Sequence, residues 1–318
     1  MPNPYLHRKV VVVGAGNVGA TYSYALAQSG LADEIVLLDR NEDLVKGQVL
    51  DLIHGQPFFP TVNIREGSPY DYADAAVIVV TAGSAQKTGE TRLDLLRRNA
   101  EIVGNIAEDI AVHNKNGVML IVSNPVDIMT WIALKRSGWE RGRVIGSGTV
   151  LDSARFRHLL SKHCEVNVHN VHAYILGEHG DHQFAAWSMT HIGGINIDEY
   201  CHICRKCENW EYERKNIEQQ VRDSAYHIIS YKGSTHFAVG LAMVRITSAI
   251  LRGENNMMTV STLLDGEFGI SDVCLSVPSM VSDKGVSRII ESPLSDNETI
   301  SLAGSAAILR EATGSISG

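Results

Sequence analysis

The feature that most constrains this chain is a glycine-spaced turn set directly behind a short apolar run. Lys9–Val13 leads into Gly14-Ala15-Gly16-Asn17-Val18-Gly19, a G-x-G-x-x-G. Each glycine has its own physical reason: the first permits a tight turn, the second lets backbone approach a pyrophosphate, and the third lets a helix pack on the strand. The free N–H groups and dipole of the helix that follows favour an anion at its start. Three glycines alone are only a turn. Asp39, about 20 residues past Gly19 at the end of the next apolar run, adds an acid placed to accept hydrogen bonds from adenosine ribose hydroxyls. It would also repel a 2′-phosphate, which selects NAD over NADP, although neighbouring Arg40 weakens that preference. Gly14, Gly16, Asn17, Val18, Gly19 and Asp39 are therefore assigned to an NAD site, with Thr81, Ala82 and Gly83 expected to complete it.

Further apolar runs without polar alternation, Ile35–Leu38, Val77–Val80 and Val118–Val122, read as strands covered on both faces, with Arg143–Gly146 as one more. Helical patterns near Val18–Ser29, Leu44–Ile53 and Arg92–Asn114 separate them. The β-α-β rhythm predicts an α/β fold with a Rossmann-type doubly wound parallel sheet over residues 1–147. From about Gly148 the rhythm breaks into helices near Ser153–Lys162, Ile217–Tyr231 and Val239–Leu251. These mix with hairpin-like strands from Thr259 to Val277 and a closing helix that Ser295 and Glu298 can cap. Residues 148–318 are expected to form a second, α+β, substrate-binding domain, with the active site in the cleft between the two.

The chain's 318 residues are long enough for two such units. Its net charge of −8 offers no attraction to a phosphate backbone or an anionic membrane, so nucleic-acid and membrane partners are not expected. No apolar run approaches the roughly 18 residues of a membrane span, and Met1–Arg8 lacks a signal-peptide pattern, so the expected location is cytoplasmic. Cys201, Cys204 and Cys207 are spaced C-x-x-C-x-x-C, but with no evident fourth ligand they read as thiols on a solvent-edge helix, and no metal is expected.

Six stretches spread over nearly the whole chain carry a resemblance: VGAGNVG (Val13–Gly19), GETRL (Gly89–Leu93), SNPVD (Ser123–Asp127), GTVLDSAR (Gly148–Arg155), GEHGD (Gly177–Asp181) and KGST (Lys232–Thr235). Together they resemble the L-lactate/malate dehydrogenase superfamily, and its lactate branch in particular. The resemblance implies His179 as the acid/base that protonates a 2-keto acid's carbonyl oxygen as hydride arrives, and Asp152 as its orienting partner. Histidine suits the task because its pKa lies near neutrality. Arg155 resembles the carboxylate anchor, where a planar guanidinium grips through two parallel hydrogen bonds. Arg92 follows a small, polar loop, Ser84–Arg92, that resembles a mobile lid bringing it to the carbonyl oxygen. Asn124 resembles a further ligand to substrate and nicotinamide ribose, which would complete the NAD site. On a helix Asp152 and Arg155 share a face, whereas Arg157 points elsewhere.

The keto acid is implied by one lid position. Gln86 stands where malate-specific members carry arginine, so a second carboxylate would be buried without a partner, although Lys87 is adjacent. Thr235 matches the residue bounding a small pocket for pyruvate. Two departures from the family pattern are Thr88, where proline is common, and His182, where a small hydroxyl residue is common. Arg157 and His172 match the cationic pair that many bacterial members use for a fructose 1,6-bisphosphate effector across a subunit interface, which implies a homotetramer. The rival readings are a malate dehydrogenase, another 2-hydroxy-acid dehydrogenase acting on a bulkier 2-keto acid, and a non-catalytic NAD-binding relative. The non-catalytic reading is disfavoured because His179, Asp152, Arg155 and Arg92 are all present.

Overall fold

A computed structural model describes residues 8–84, 89, 91–204 and 209–317. Strands β1 (Lys9–Val13), β2 (Glu34–Leu38), β3 (Asn63–Glu66), β4 (Val77–Val80), β5 (Val118–Ile121) and β6 (Val144–Gly146) pair in parallel in the order β3-β2-β1-β4-β5-β6. This is a Rossmann-type doubly wound sheet, whose strand order reverses between β1 and β4. The hairpin Ser261–Asp265/Ser271–Ser276 continues the same sheet antiparallel beyond β6, through Ser261 against Gly146. The helices are α1 (Asn17–Ser29), α2 (Glu42–His54), α3 (Arg92–His113), α4 (Val126–Ser137), α5 (Val150–Cys164), α6 (Ile197–Cys204), α7 (Trp210–Lys232), α8 (Phe237–Arg252) and α9 (Asp296–Ser317). None of the described helices is long and apolar enough to cross a membrane.

The period-two alternation of side chains sends each strand's residues to two cores. Val11, Val13, Ile78 and Val80 join α3, α4 and α9 on one face, with Val103, Met129 and Leu302 buried there. Val10, Val12, Val77 and Val79 join α1, α2 and α8 on the other, with Tyr22, Val49 and Met243. Burying Met243, Ile246 and Ile250 of α8 contributes about 1.5–3 kcal/mol each, so the late helix is held firmly on the early sheet. A third core, around Phe156, Trp187, Ile197 and Val221, packs α5, α6 and α7 together.

Most expected elements appear within a residue or two of the sequence reading. Two were not read. β3 (NIRE) lies at the sheet edge with alternating exposure, so it lacks the apolar run used to find the others. α4 buries residues on most of its circumference, which erases the amphipathic stripe by which a surface helix is recognised. α7 starts at Trp210, earlier than expected, because Asn209 caps it by accepting from Tyr212 N at 3.0 Å. The Ser295–Glu298 capping box is present, with Ser295 N donating to Glu298 Oε2 at 2.8 Å and Glu298 N to Ser295 Oγ at 3.4 Å.

At the start of β1 the sheet buries a charge. Lys9, with a side chain 5% exposed, donates to Asp74 at 2.7 Å and Asp71 at 3.4 Å, while Arg65 binds Asp71 at 2.5 Å and Glu34 at 2.7 Å. The Arg65 hydrogen bond, opposed by burial and helped by the Ser68 backbone and the charges of Arg65 and Lys9, holds the Asp71 carboxyl well below the usual carboxylate range. A depressed carboxyl stabilises the fold above its unfolded pKa and loses that contribution as pH falls through the native value. Asp71→Asn should therefore destabilise the protein by about 2 kcal/mol at pH 7. Urea unfolding should show the full deficit at neutral pH and a smaller one only below the ordinary carboxylate range. Equal stability of the two proteins at pH 7 would show that the network is ornamental.

Candidate active site

The glycine turn is dense on its protein side and open on the other. A Cβ on Gly19 would stand 1.9 Å from Gly14 O, and one on Gly14 only 2.6 Å from Thr81 Oγ1, whereas nothing lies within 4 Å of that position on Gly16. Gly14 also needs its left-handed φ of 109°. Thr81, just past β4, donates its hydroxyl to Gly14 O at 2.9 Å and so clamps the turn to the switch point. α1 starts at Asn17 with no capping side chain and no acid in its first turn, leaving its N–H groups for an anion. Asp39 accepts from Ala15 N at 2.8 Å and from Asn41 N at 3.0 Å, which fixes the acid beside the turn. Gly14, Gly16, Asp39, Thr81, Ala82 and Gly83 border one cleft of about 810 Å³, a size that suits a dinucleotide. These residues fit NAD: the open side of the turn can take its pyrophosphate and Asp39 its ribose.

A short segment links this cleft to the expected acid/base. Ser123, just beyond β5, donates to Ala82 O at 2.5 Å, and four residues on Asp127 Oδ2 accepts the backbone N–H of His179 at 2.7 Å. Asn124 lies between them, exposed, its carbonyl accepting from Asn99 at 3.4 Å. The ring of His179 meets α5, where its Nδ1 is 2.6 Å from Asp152 Oδ2, and Arg155 Nη1 donates to Asp152 Oδ1 at 2.8 Å. The Asp152 side chain is 2% exposed and that of His179 27%, so the carboxylate is sealed in while the ring's other edge reaches solvent. Burial lowers the His179 pKa, yet the charge and hydrogen bond of Asp152, with the charge of Asp127, outweigh it and leave the imidazole above its ordinary value. Burial likewise raises the Asp152 carboxyl, but His179 and then Arg155 pull it below the usual range. With Nδ1 engaged, Nε2 is the nitrogen that can exchange a proton with a ligand.

The other assigned residues are placed as follows. Thr235 is half-buried between α7 and α8, and adjacent Ser234 accepts from Asn17 Nδ2 at 3.2 Å, which brings this junction onto the glycine turn. Val18 follows Asn17 in the first turn of α1. Arg92 opens α3, capped by Thr91, whose side chain accepts from Asp94 N. Gln86, Lys87, Thr88 and Cys207 lie outside the described residues. Arg157 is directed away from Asp152, its Nε donating to Ser153 O at 3.4 Å, and His172 is exposed on a short strand, Val171–His172. Among the described residues no three His, Cys, Asp or Glu side chains gather as a metal site. Asp127 is the residue that sequence reasoning missed. Its only signal was membership of the SNPVD stretch.

A sheet wound in this order, with an open glycine turn at its reversal, defines a dinucleotide-binding protein. Residues 8–146 match the family described as lactate/malate dehydrogenase, NAD binding domain, and residues 149–316 match the lactate/malate dehydrogenase, alpha/beta C-terminal domain. The chain belongs to the lactate/malate dehydrogenase family, and NAD is its cofactor. It is 60% identical to an L-lactate dehydrogenase of Treponema denticola over 96% of this chain and 97% of that protein. It is also 49% identical to an L-lactate dehydrogenase of Acetivibrio thermocellus over 98% of each. Among solved structures, MGS-M5, a lactate dehydrogenase from a Medee basin deep-sea metagenome library, superposes with a TM-score of 0.95 at 41% identity over 100% of both chains. The minor L-lactate dehydrogenase of Enterococcus mundtii gives 0.94 at 38% identity over 98% of this chain and 99% of that one.

The two faces of the glycine turn predict opposite phenotypes. Gly16→Ala should keep the wild-type unfolding temperature but weaken NADH binding about tenfold or more, read by nucleotide fluorescence. Gly19→Ala should lower the unfolding temperature, because strand and helix must separate to admit the methyl group. Wild-type NADH affinity in the Gly16 variant would show that the open side of the turn is not where the cofactor sits.

Proposed function

We propose that this protein is an NAD-dependent L-lactate dehydrogenase that interconverts pyruvate and L-lactate, with the cofactor held by residues 1–147 and the substrate by 148–318. The observation that carries this reading is the buried Asp152 carboxylate, bound to the His179 imidazole at 2.6 Å and to Arg155 at 2.8 Å. The family relationship supports the same assignment. His179, its charged form favoured by Asp152, gives a proton from Nε2 to the carbonyl oxygen and recovers it in the reverse direction. Arg155 keeps guanidinium N–H groups beyond the one given to Asp152 and anchors the substrate carboxylate with them. Arg92 polarises the carbonyl oxygen, and Asn124 positions substrate and ribose. Thr235 bounds the methyl end of the pocket, and Gln86 gives a second carboxylate no cation. NADH, when bound, supplies the hydride.

Assembly and control belong to the same proposal. Burial, reinforced by the charge of Arg245 and opposed by Tyr174, holds the Arg157 guanidinium below its usual pKa. Among the described residues no carboxylate pairs with it, so it is a cation in need of an anion. With His172 it forms half of a site for the two phosphates of fructose 1,6-bisphosphate, the other half coming from a second copy in a homotetramer.

Initial NADH oxidation rates with pyruvate and with oxaloacetate, each with and without fructose 1,6-bisphosphate, test the reading. Pyruvate should win in kcat/KM by on the order of 10²-fold or more, because oxaloacetate would bury an unpaired charge against Gln86. The effector should lower the pyruvate KM in the wild type and do nothing in Arg157→Gln. Preference for oxaloacetate would overturn the substrate assignment, and indifference to the sugar bisphosphate would remove the effector site. Arg155→Lys should raise the pyruvate KM roughly 10–100-fold, since lysine cannot reproduce the paired hydrogen bonds.

The pH dependence follows from the raised pKa of His179. Pyruvate reduction needs the protonated ring, so its rate should persist above the ordinary histidine range and fall as pH rises through the native value. Asp152→Asn should move that fall to lower pH and cut kcat by about 10²-fold or more. An unmoved alkaline limb in this variant would exclude the Asp152–His179 pair from the proton transfer.

A further inference from the structure

His179 is gripped twice. Asp152 holds its ring, while Asp127 holds its backbone from beneath, accepting the His179 N–H at Oδ2 over 2.7 Å. Asp127 is 2% exposed and sits in the first turn of α4, where the helix dipole favours a negative charge. Its second oxygen faces an unusual environment. Among the described residues Oδ1 has no well-formed hydrogen bond, nor do the buried hydroxyls of Ser261 and Ser276 on the adjoining hairpin. A backbone N–H needs only a neutral acceptor, and a serine or an asparagine would supply one. A buried carboxylate, steadied at most by the nearby Ser261 hydroxyl, is a costly group to keep where a neutral acceptor would satisfy the same amide.

We propose that Asp127 is a positioning residue of the reaction: through the backbone N–H of His179 it sets the ring against Asp152, and it keeps a negative charge beneath that ring. This rests on His179 being the acid/base. Among the described residues four groups bear on Asp127. His179 and Glu178 come from the loop, Ser261 from one hairpin strand and Cys274 from the other. Burial and the charge of Glu178 push the Asp127 carboxyl up to about 6 against the opposing pull of Ser261 and His179, so it is ionised over the range where a raised histidine titrates. The sign of this shift separates function from folding. A carboxyl raised above its unfolded pKa loses native stability as pH rises through the native value, so at neutral pH the charge works against the fold. It does, however, favour a protonated His179. Such a trade suits a residue kept for the site and not for the scaffold.

The test compares Asp127→Asn, which keeps an acceptor and removes the charge, with Asp127→Leu, which removes both. In pyruvate reduction Asn should retain kcat within about fivefold while its alkaline limb moves down by roughly 0.5–1 pH unit. Leu should lower kcat by on the order of 10–100-fold with the NADH KM unchanged, as expected for a misplaced acid. In the protein without cofactor, the rate at which diethyl pyrocarbonate modifies His179, read by peptide mass spectrometry across pH, should have a lower midpoint in the Asn variant. Should Leu fail to fold, the Asn midpoint alone decides. An unmoved midpoint, or wild-type kcat in a folded Leu variant, overturns the proposal. If the wild type reduces no 2-keto acid, the acid/base reading falls, and the modification midpoint still reports whether Asp127 acts on the ring.

Discussion

One buried carboxylate organises the chemistry of this protein. Asp152 is shut away from water and would be expensive to ionise alone, yet it is charged because two cations meet it, one on each oxygen. α5 supplies both Asp152 and Arg155 at helical spacing, so one of these contacts is settled by a single turn of helix. The other must be delivered across the fold by the loop carrying His179. Most of the surrounding structure serves that delivery. Thr149 binds Ile175 O at 2.5 Å, Ser153 receives the Ile175 N–H at 2.9 Å, and Asp127 receives that of His179. Without the carboxylate, burial would push the imidazole toward its neutral form and nothing would relate it to Arg155.

The parallel sheet was legible because its strands are buried on both faces and therefore spelled in uninterrupted apolar letters. Lys9–Val13 and Val77–Val80 appear with the bounds the sequence implies. The same rule hid β3, whose edge position leaves half its side chains to solvent, and hid α4, whose burial on several sides removes the contrast that marks a helix face. The short strands of the second half were also silent. A two-residue pairing such as Val171–His172 with His191–Ile192 has no periodicity to detect and exists only because the chain around it is already folded.

In the site, legibility followed chemical specialisation. Glycines that must avoid a Cβ and an aspartate at a ribose distance announce themselves, whereas Asp152 and Arg155 were singled out by the family resemblance, helical spacing only putting them on one face. The pairing of His179 with α5 became readable only through the family resemblance, because nothing in GEHGD names a partner. Asp127 was overlooked since its contact is to backbone, 52 residues away in the chain, and a backbone N–H leaves no letter in a sequence.

The hairpin that lengthens the sheet also binds the histidine loop. Gly177 N donates to Ser276 O at 3.0 Å and Ser276 N to Gly177 O at 3.1 Å, while Ser261 on the paired strand lies against Gly146 of β6. His179, two residues beyond Gly177, is thus registered to the parallel strands through one continuous ladder. A ladder does not slide by fractions of an ångström. It can only step, and a single step would turn every side chain to the opposite face. Errors in the distance between His179 and the cleft beside the glycine turn are in this sense quantised: either the register is right and the two are aligned, or it is wrong and the core itself fails.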